Sequence, residues 1–319
     1  MKIRRSFLFL RHDFRHRFAV TLRHYTEYAL YRLASGIVAL VPRGAAFVFA
    51  YVLSLIAGTM ARRKLCDAAR RVREVFGGSL TPREIRRIVR TAWRNLFFNA
   101  VEMMQARRLL SQWEKIGRIE GAHHLESLNS GAVIAMAHLG NWELAGLAAR
   151  QKGLPVFVIV RRQNNPLLDR ELDRARRQFG LECIDRDRDV TAAVVRRLQS
   201  GQFLGIMSDL RARRGGVRIN FLGREALIPE GAATFARLAG VPLVPVTARR
   251  DGWYRHRWTV HEPLIPDPSL GKDGDAGLMQ RLMNVFAATI IADPAQFFWF
   301  NSRWVLQPRK PHPHISSHS

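Results

Sequence analysis

The chain has 319 residues, 47% of them apolar. That is enough for a full hydrophobic core, excludes global disorder, and fits about two domains or one α/β domain with a helical arm. Its two cysteines, Cys66 and Cys183, exclude a disulfide framework and a four-cysteine zinc site and make a reducing, cytosolic setting the default. Lys plus Arg number 51 against 26 Asp plus Glu, a net charge of +25, which attracts nucleic acid, anionic lipid, phosphorylated glycolipid or an acidic carrier protein.

Residues 1–24 interleave basic and apolar side chains. Their apolar run at 6–10 is too short for a signal peptide, and the segment reads as basic and membrane-seeking. Residues 44–61 carry no charge. As a helix they would span roughly 27 Å, close to a bilayer core of about 30 Å. Arg43 precedes the run and Arg62, Arg63 and Lys64 follow it, so the charge bias gives no orientation. The favoured reading is a monotopic or peripheral helix; a single span and a core helix are the alternatives.

Residues 62–76 read as a helix ended by Gly77-Gly78. Thr81-Pro82-Arg83-Glu84 forms a capping box with Pro in the first turn, which predicts a helix start. That helix is predicted to run to about Leu110. Ile85, Ile88, Val89, Trp93, Phe97, Ala100 and Met104 form its apolar stripe, read as core packing, with an acyl or membrane groove as the alternative.

From residue 117 the rhythm changes. Short β-like runs at 131–137, 154–160, 202–207, 217–221 and 241–246 alternate with helical stretches near 141–152, 166–179, 188–199, 227–239 and 276–292. This predicts an α/β fold: a central mixed, largely parallel sheet flanked by helices, behind an N-terminal helical membrane-associating arm. The expected division is an arm at 1–61, a catalytic body at 62–306 and a disordered tail at 307–319.

Ligands of such sheets bind beyond the carboxyl ends of strands. There the run GAVIAMAHLGNWE delivers His138, then a turn at Leu139-Gly140, then a helix with Glu143 in its first turn. A carboxylate on one imidazole nitrogen fixes the tautomer and frees the other nitrogen to accept a proton. Glu143, five residues past His138, is the carboxylate this local spacing nominates. No G-x-S-x-G elbow, H-E-x-x-H, Walker loop or G-x-G-x-x-G occurs, and no metal site is expected.

Ordered blocks extend this signal: AHLGNWELAG at 137–146, Arg161-Arg162, NNPLLDRELDRARRQFG at 164–180, the stretch from Ser208-Asp209 to residue 245, and FFWFNSRW at 297–304. Together they resemble the lipid A biosynthesis acyltransferase family, within the wider glycerolipid and lysophospholipid acyltransferase-like superfamily marked by His, four residues, then Asp or Glu. The resemblance implies a glycerol-3-phosphate acyltransferase-like fold and an O-acyltransferase without an acyl-enzyme. It makes His138 the general base, Glu143 its orienter, and Arg176 and Asp209 further active-site residues. Backbone N–H groups near Gly140 and Asn141, or a nearby Arg, would serve the oxyanion. Arg162 is a candidate phosphate ligand, while Arg303 suits packing or substrate binding alike. The family needs no cofactor; an acyl carrier protein or coenzyme A thioester is the co-substrate, an anionic glycolipid such as a lipid A precursor the acceptor. The expected location is the cytoplasmic face of the inner membrane, monotopic or single-span, with no nucleic acid partner. The alternatives are a non-catalytic basic protein binding anionic membrane or nucleic acid, and a hydrolase using His138 to activate water.

Overall fold

The structure is a computed structural model. It describes residues 3–160, 163–185, 190–213 and 215–307, with residues 3–20 and Asp185 as backbone alone. The predicted phosphate ligand Arg162 and the tail beyond Gln307 lie outside the described residues.

An N-terminal helical stretch comprises α1 (Ile3–Leu40), α2 (Arg43–Met60), α3 (Arg62–Phe76), α4 (Pro82–Met104), α5 (Ala106–Leu110) and α6 (Trp113–Ile116). It leads into β1 (Gly117–Glu120), α7 (His123–Glu126), β2 (Ala132–Met136), α8 (Trp142–Gln151), β3 (Val156–Val160), α9 (Pro166–Gln178) and β4 (Glu182–Asp185). Then come α10 (Thr191–Gln199), β5 (Phe203–Met207), β6 (Val217–Phe221), β7 (Arg224–Ile228), α11 (Gly231–Ala239), β8 (Leu243–Asp251), β9 (Arg255–Val260) and α12 (Gly274–Ala292).

The sheet has seven strands in the order β1-β9-β8-β2-β5-β3-β4. All neighbours pair in parallel except β8 and β9, which form an antiparallel pair. The predicted α/β class with a mixed, largely parallel sheet therefore holds. Every residue of β2 is buried, as a central parallel strand with both faces covered requires. Val133 and Ala135 face a core that includes Val194 of α10, Ala236 of α11 and Phe286 of α12. Ala132, Ile134 and Met136 face the other core, with Leu144 and Ala148 of α8.

Three local expectations need correction. The run at 217–221 is a strand, but it pairs only with β7 in a separate hairpin. Its two-residue turn is Leu222-Gly223, both at positive φ, as a hairpin of this length demands. The long helix does not reach Leu110: α4 ends at Met104, and Gln105 turns its amide onto the carbonyls of Val38 (2.8 Å) and Val41 (3.1 Å), closing the end of α1. The stripe of α4 also rotates in its second half. The buried positions there are Ala92, Asn95, Phe98, Val101 and Glu102, and Ala100 is exposed. The capping box forms, with Glu84 N–H 3.3 Å from Thr81 Oγ1 and Thr81 N–H 2.7 Å from Glu84 Oε2.

The helix α2 is 22% buried, which argues against the core-helix reading. Phe47 packs at a tilt against Phe98 and Tyr254, with ring centroids 4.7 and 5.0 Å away, while Phe49, Val52, Leu55 and Ile56 stay exposed.

Candidate active site

His138 follows the carboxyl end of β2 and stands where the chain leaves the sheet. Its Nδ1–H donates to Asp209 Oδ1 at 2.7 Å, and its backbone N–H donates to Asp209 Oδ2 at 2.9 Å. Asp209 follows β5, the neighbour of β2, and is 3% exposed. One carboxylate therefore fixes both the ring and the backbone of His138, leaving Nε2 as the acceptor nitrogen. The bond that local spacing assigned to Glu143 is made by Asp209. Glu143 pairs weakly with Arg176, Oε2 to Nη2 at 3.9 Å.

Burial alone pushes the His138 imidazole down. The Asp209 charge and hydrogen bond, joined by the charge of Glu143, outweigh burial and raise its pKa above the ordinary histidine value. Aromatic rings enclose the imidazole. Trp142 stands edge-on with ring centroids 4.9 Å apart, and Phe298 lies 6.0 Å away. Both belong to blocks visible in the sequence, yet neither carries a chemical signature that would mark it there.

The turn after His138 is held from three directions. Gly140 adopts φ +55°, and a Cβ there would sit 2.7 Å from the Ala248 carbonyl oxygen. Its N–H donates to Gln296 O at 3.0 Å, and Phe298 N–H donates to His138 O at 2.9 Å. Asn141 is 1% exposed and caps α8 through Oδ1, which accepts from Leu144 N–H at 3.1 Å. Its amide donates to Glu102 Oε2 at 2.8 Å. Gly140 N–H and the Asn141 side chain are thus engaged inside the protein rather than presented to substrate. The first-turn amides of Trp142 and Glu143 have no partners within α8.

Beneath this turn lies a charged cluster that local sequence reading missed. Glu102 accepts from Arg250 (2.9 and 2.5 Å) and from His256 Nε2–H (2.8 Å), with all three side chains fully buried. Asn99 joins Arg250 Nη2 (2.6 Å) to the Gly140 carbonyl (2.7 Å). Burial works against ionised Glu102, but the charge of Arg250 and the hydrogen bonds from Arg250 and His256 prevail and hold its pKa at about 2. Burial keeps His256 neutral by lowering its pKa, against the pull of Glu102. Asn99 and Glu102, polar residues in the mostly apolar second half of α4, were its trace in the sequence.

An apolar cavity of about 670 Å³ lies between the sheet and α8. Trp142, Glu143 and Arg176 line it beside the carboxyl ends of β3 and β5, and Trp113, Leu125 and Leu154 line it at the other end. The space exists because α8 presents Ala145, Gly146, Ala148 and Ala149 to it; a Cβ on Gly146 would meet nothing within 4 Å. Arg303 sits outside this wall. Its guanidinium donates to the Arg211 carbonyl, and Arg211 N–H donates back to Arg303 O at 3.3 Å, bracing the loop that carries Asp209.

Fold and site together define an α/β protein with a histidine–aspartate pair at a strand end, beside an apolar cavity. The model of the bacterial lipid A biosynthesis acyltransferase family matches residues 15–305, and the chain belongs to that family. It is 28% identical over 221 residues to a phosphatidylinositol mannoside acyltransferase of Mycobacterium tuberculosis, covering 67% of this chain and 66% of that one. It is 26% identical over 199 residues to a phosphatidylinositol mannoside acyltransferase of Mycolicibacterium smegmatis, covering 60% and 63%. The chain thus spans a little under two thirds of the length of these curated relatives. Among solved structures it is similar to the 1-acyl-sn-glycerophosphate (LPA) acyltransferase PlsC from Thermotoga maritima, with a TM-score of 0.41 and 12% identity over 79% of this chain and 98% of that one.

Proposed function

We propose that this chain transfers a fatty acyl group from an acyl carrier protein or coenzyme A thioester to a hydroxyl of a membrane glycolipid of the lipid A precursor or phosphatidylinositol mannoside kind. The observation that carries this reading is His138, oriented by Asp209, beside a cavity shaped for an apolar chain.

The acyl chain occupies the cavity, which sets the thioester carbonyl near Trp142. His138 Nε2 takes the proton of the acceptor hydroxyl as its oxygen attacks that carbonyl. The new C–O bond forms and the oxyanion is met by the first-turn amides of Trp142 and Glu143 at the positive end of α8, with Arg176 adjacent. Collapse breaks the C–S bond, and His138 returns its proton to the departing thiolate. Asp209 stabilises the intervening imidazolium. Arg162 serves the acceptor's phosphate, and Glu143 tunes His138 and positions Arg176.

Residues 1–61 form the membrane-associating arm and 62–306 the transferase body. The exposed face of α2 lies in the interface of the cytoplasmic leaflet, and the positive surface suits both an acidic carrier and an anionic acceptor.

The test incubates purified protein with acyl carrier protein and coenzyme A thioesters and a membrane lipid extract, followed by mass spectrometry. A lipid gains one acyl mass with the native protein and not with His138→Ala. Equal lipid binding by both proteins, with no acylated product from either, overturns the enzymatic reading in favour of a binding protein.

A further inference from the structure

A second groove, of about 880 Å³, opens between α2 and α4. One wall is formed by α2. The other is arginine: Arg83, Arg86, Arg87, Arg90 and Arg94 recur at helical spacing on one face of α4, and Arg62 at the start of α3 adds a sixth. Like charges three and four residues apart on a helix repel one another.

Among the described residues, Arg62, Arg83, Arg86, Arg87 and Arg90 have no carboxylate partner. Glu84, the acid nearest in sequence to four of them, is turned back onto Thr81 at 2.7 Å. Two arginines of α9 are treated differently: Arg174 pairs with Glu171 at 3.0 Å and Arg177 with Asp173 at 2.6 Å. Six arginines thus line one groove, five of them without a counter-charge, as a site for an external anion requires.

The position of the groove specifies the anion. Tyr51, Leu55 and Gly58 of α2 line it, and the next face of the same helix is the exposed ridge of Phe49, Val52, Ile56 and Met60. A helix bearing such a ridge rests at the boundary between acyl chains and headgroups. The arginine row beside it then stands at the depth of lipid phosphates, which guanidinium forks bind bidentately. Trp93 fixes the two helices together, its Nε1–H donating to Ser54 O at 2.9 Å. A nucleic acid strand offers no hydrocarbon to the exposed apolar ridge beside the row, whereas a lipid surface meets both.

We propose that the α2–α4 groove binds the phosphodiester headgroups of anionic phospholipid in the supporting leaflet, as a site distinct from the one at His138. Attachment is then shared between the apolar arm and an electrostatic clamp in the body.

The experiment uses the full chain and flotation with phosphatidylcholine vesicles, with and without phosphatidylglycerol, at physiological salt. Arg86→Gln/Arg87→Gln/Arg90→Gln is compared with an equal loss of charge at other exposed positions, Arg107→Gln/Arg108→Gln/Arg196→Gln. Thermal melts verify that both fold, and Arg86→Lys/Arg87→Lys/Arg90→Lys keeps the charge. The groove variant is expected to lose affinity for the anionic vesicles by on the order of tenfold to a hundredfold. The control variant retains native affinity, the lysine variant falls between, and acyl transfer in detergent micelles is unchanged by the groove substitutions. Equal binding by the groove variant and the native chain, or equal loss in the control, overturns the proposal. So does displacement from vesicles by inorganic phosphate at matched headgroup concentration, which assigns the groove to a soluble anion. Arginine-dependent retention of a short RNA, with vesicle binding unaltered, overturns it as well.

Discussion

His138 and Asp209 lie 71 residues apart in the chain, and two hydrogen bonds join them, one to the imidazole at 2.7 Å and one to the backbone at 2.9 Å. Asp209 thereby sets the tautomer, the ring angle and the basicity of His138 together. Asp209→Asn is expected to lower kcat by about 10²–10⁴-fold, the range of a general base deprived of its orientation. His138→Ala falls at least as far. Glu143→Gln costs less, because Glu143 acts on His138 through its charge alone.

The pH profile separates these roles. With His138 as the proposed base, transfer requires its neutral form, so kcat/KM is expected to rise with pH through the raised pKa of this residue. Removing the Asp209 charge leaves burial dominant, and the acid limb of the profile moves to lower pH in Asp209→Asn. An unmoved limb excludes His138 as the titrating base. Stability has the opposite dependence. A histidine whose folded pKa is raised stabilises the fold below its unfolded value of about 6.5 and loses that contribution as pH rises through the folded pKa. Melting temperatures of the native chain and His138→Gln should therefore converge on the alkaline side.

The Glu102 cluster is expected to govern acid unfolding. Its pKa is about 2 against a reference of 4.5, so its stabilisation is present above about 4.5 and is lost as pH falls toward 2. The linkage amounts to on the order of 3 kcal/mol. Neutral, buried His256 adds to the same loss as pH falls below about 6.5. Glu102→Ala strands the buried Arg250 and is expected to cost about 3–5 kcal/mol by denaturant titration. It should also depress turnover, since Asn141 and, through Asn99, Gly140 rest on this cluster.

Gly140→Ala tests the turn itself. Its φ of +55° and the 2.7 Å approach to the Ala248 carbonyl leave no room for a methyl group. A loss of about 1–3 kcal/mol in stability is expected, together with displacement of His138 and a fall in kcat. Native kcat in this variant shows that the turn does not set the base.

In the proposed mechanism the cavity sets the acyl length. Gly146 faces open space on α8, so Gly146→Leu fits without straining the helix and shortens the room available. Donor preference should move to shorter thioesters, by about fourfold in kcat/KM for each excluded methylene at roughly 0.8 kcal/mol apiece. A chain-length series of thioesters reads this directly.

Much of the site was legible because its parts are local. The strand before His138, the Gly140 turn and the Thr81–Glu84 capping box each lie within a few residues, and their patterns survive in the structure. Asp209 was visible as a residue of interest but not as the partner of His138, because only the pairing of β2 with β5 brings the two strand ends side by side. The same reason hides Glu102, Arg250 and His256, which come from α4, β8 and β9. β1 and β4 have four residues each, too few for a periodic signal. The second half of the α4 stripe misled because apolar Trp93 and Phe97 pack against each other at 5.4 Å near the surface, while polar Asn95 and Glu102 turn inward.

The segment around Phe298 closes the turn at His138 from the far end of the chain, through Phe298 N–H, Gln296 O and the pairing of Leu139 with Phe297. During synthesis this orders events. The apolar helix α2 is complete by Met60, while the segment that locks His138 emerges more than two hundred residues later. At about 5–20 residues per second that interval is roughly 10–50 seconds. On the proposed reading, the nascent chain meets the bilayer long before it holds a finished catalytic centre, and a ribosome that stalls in between leaves an anchored protein without a working base.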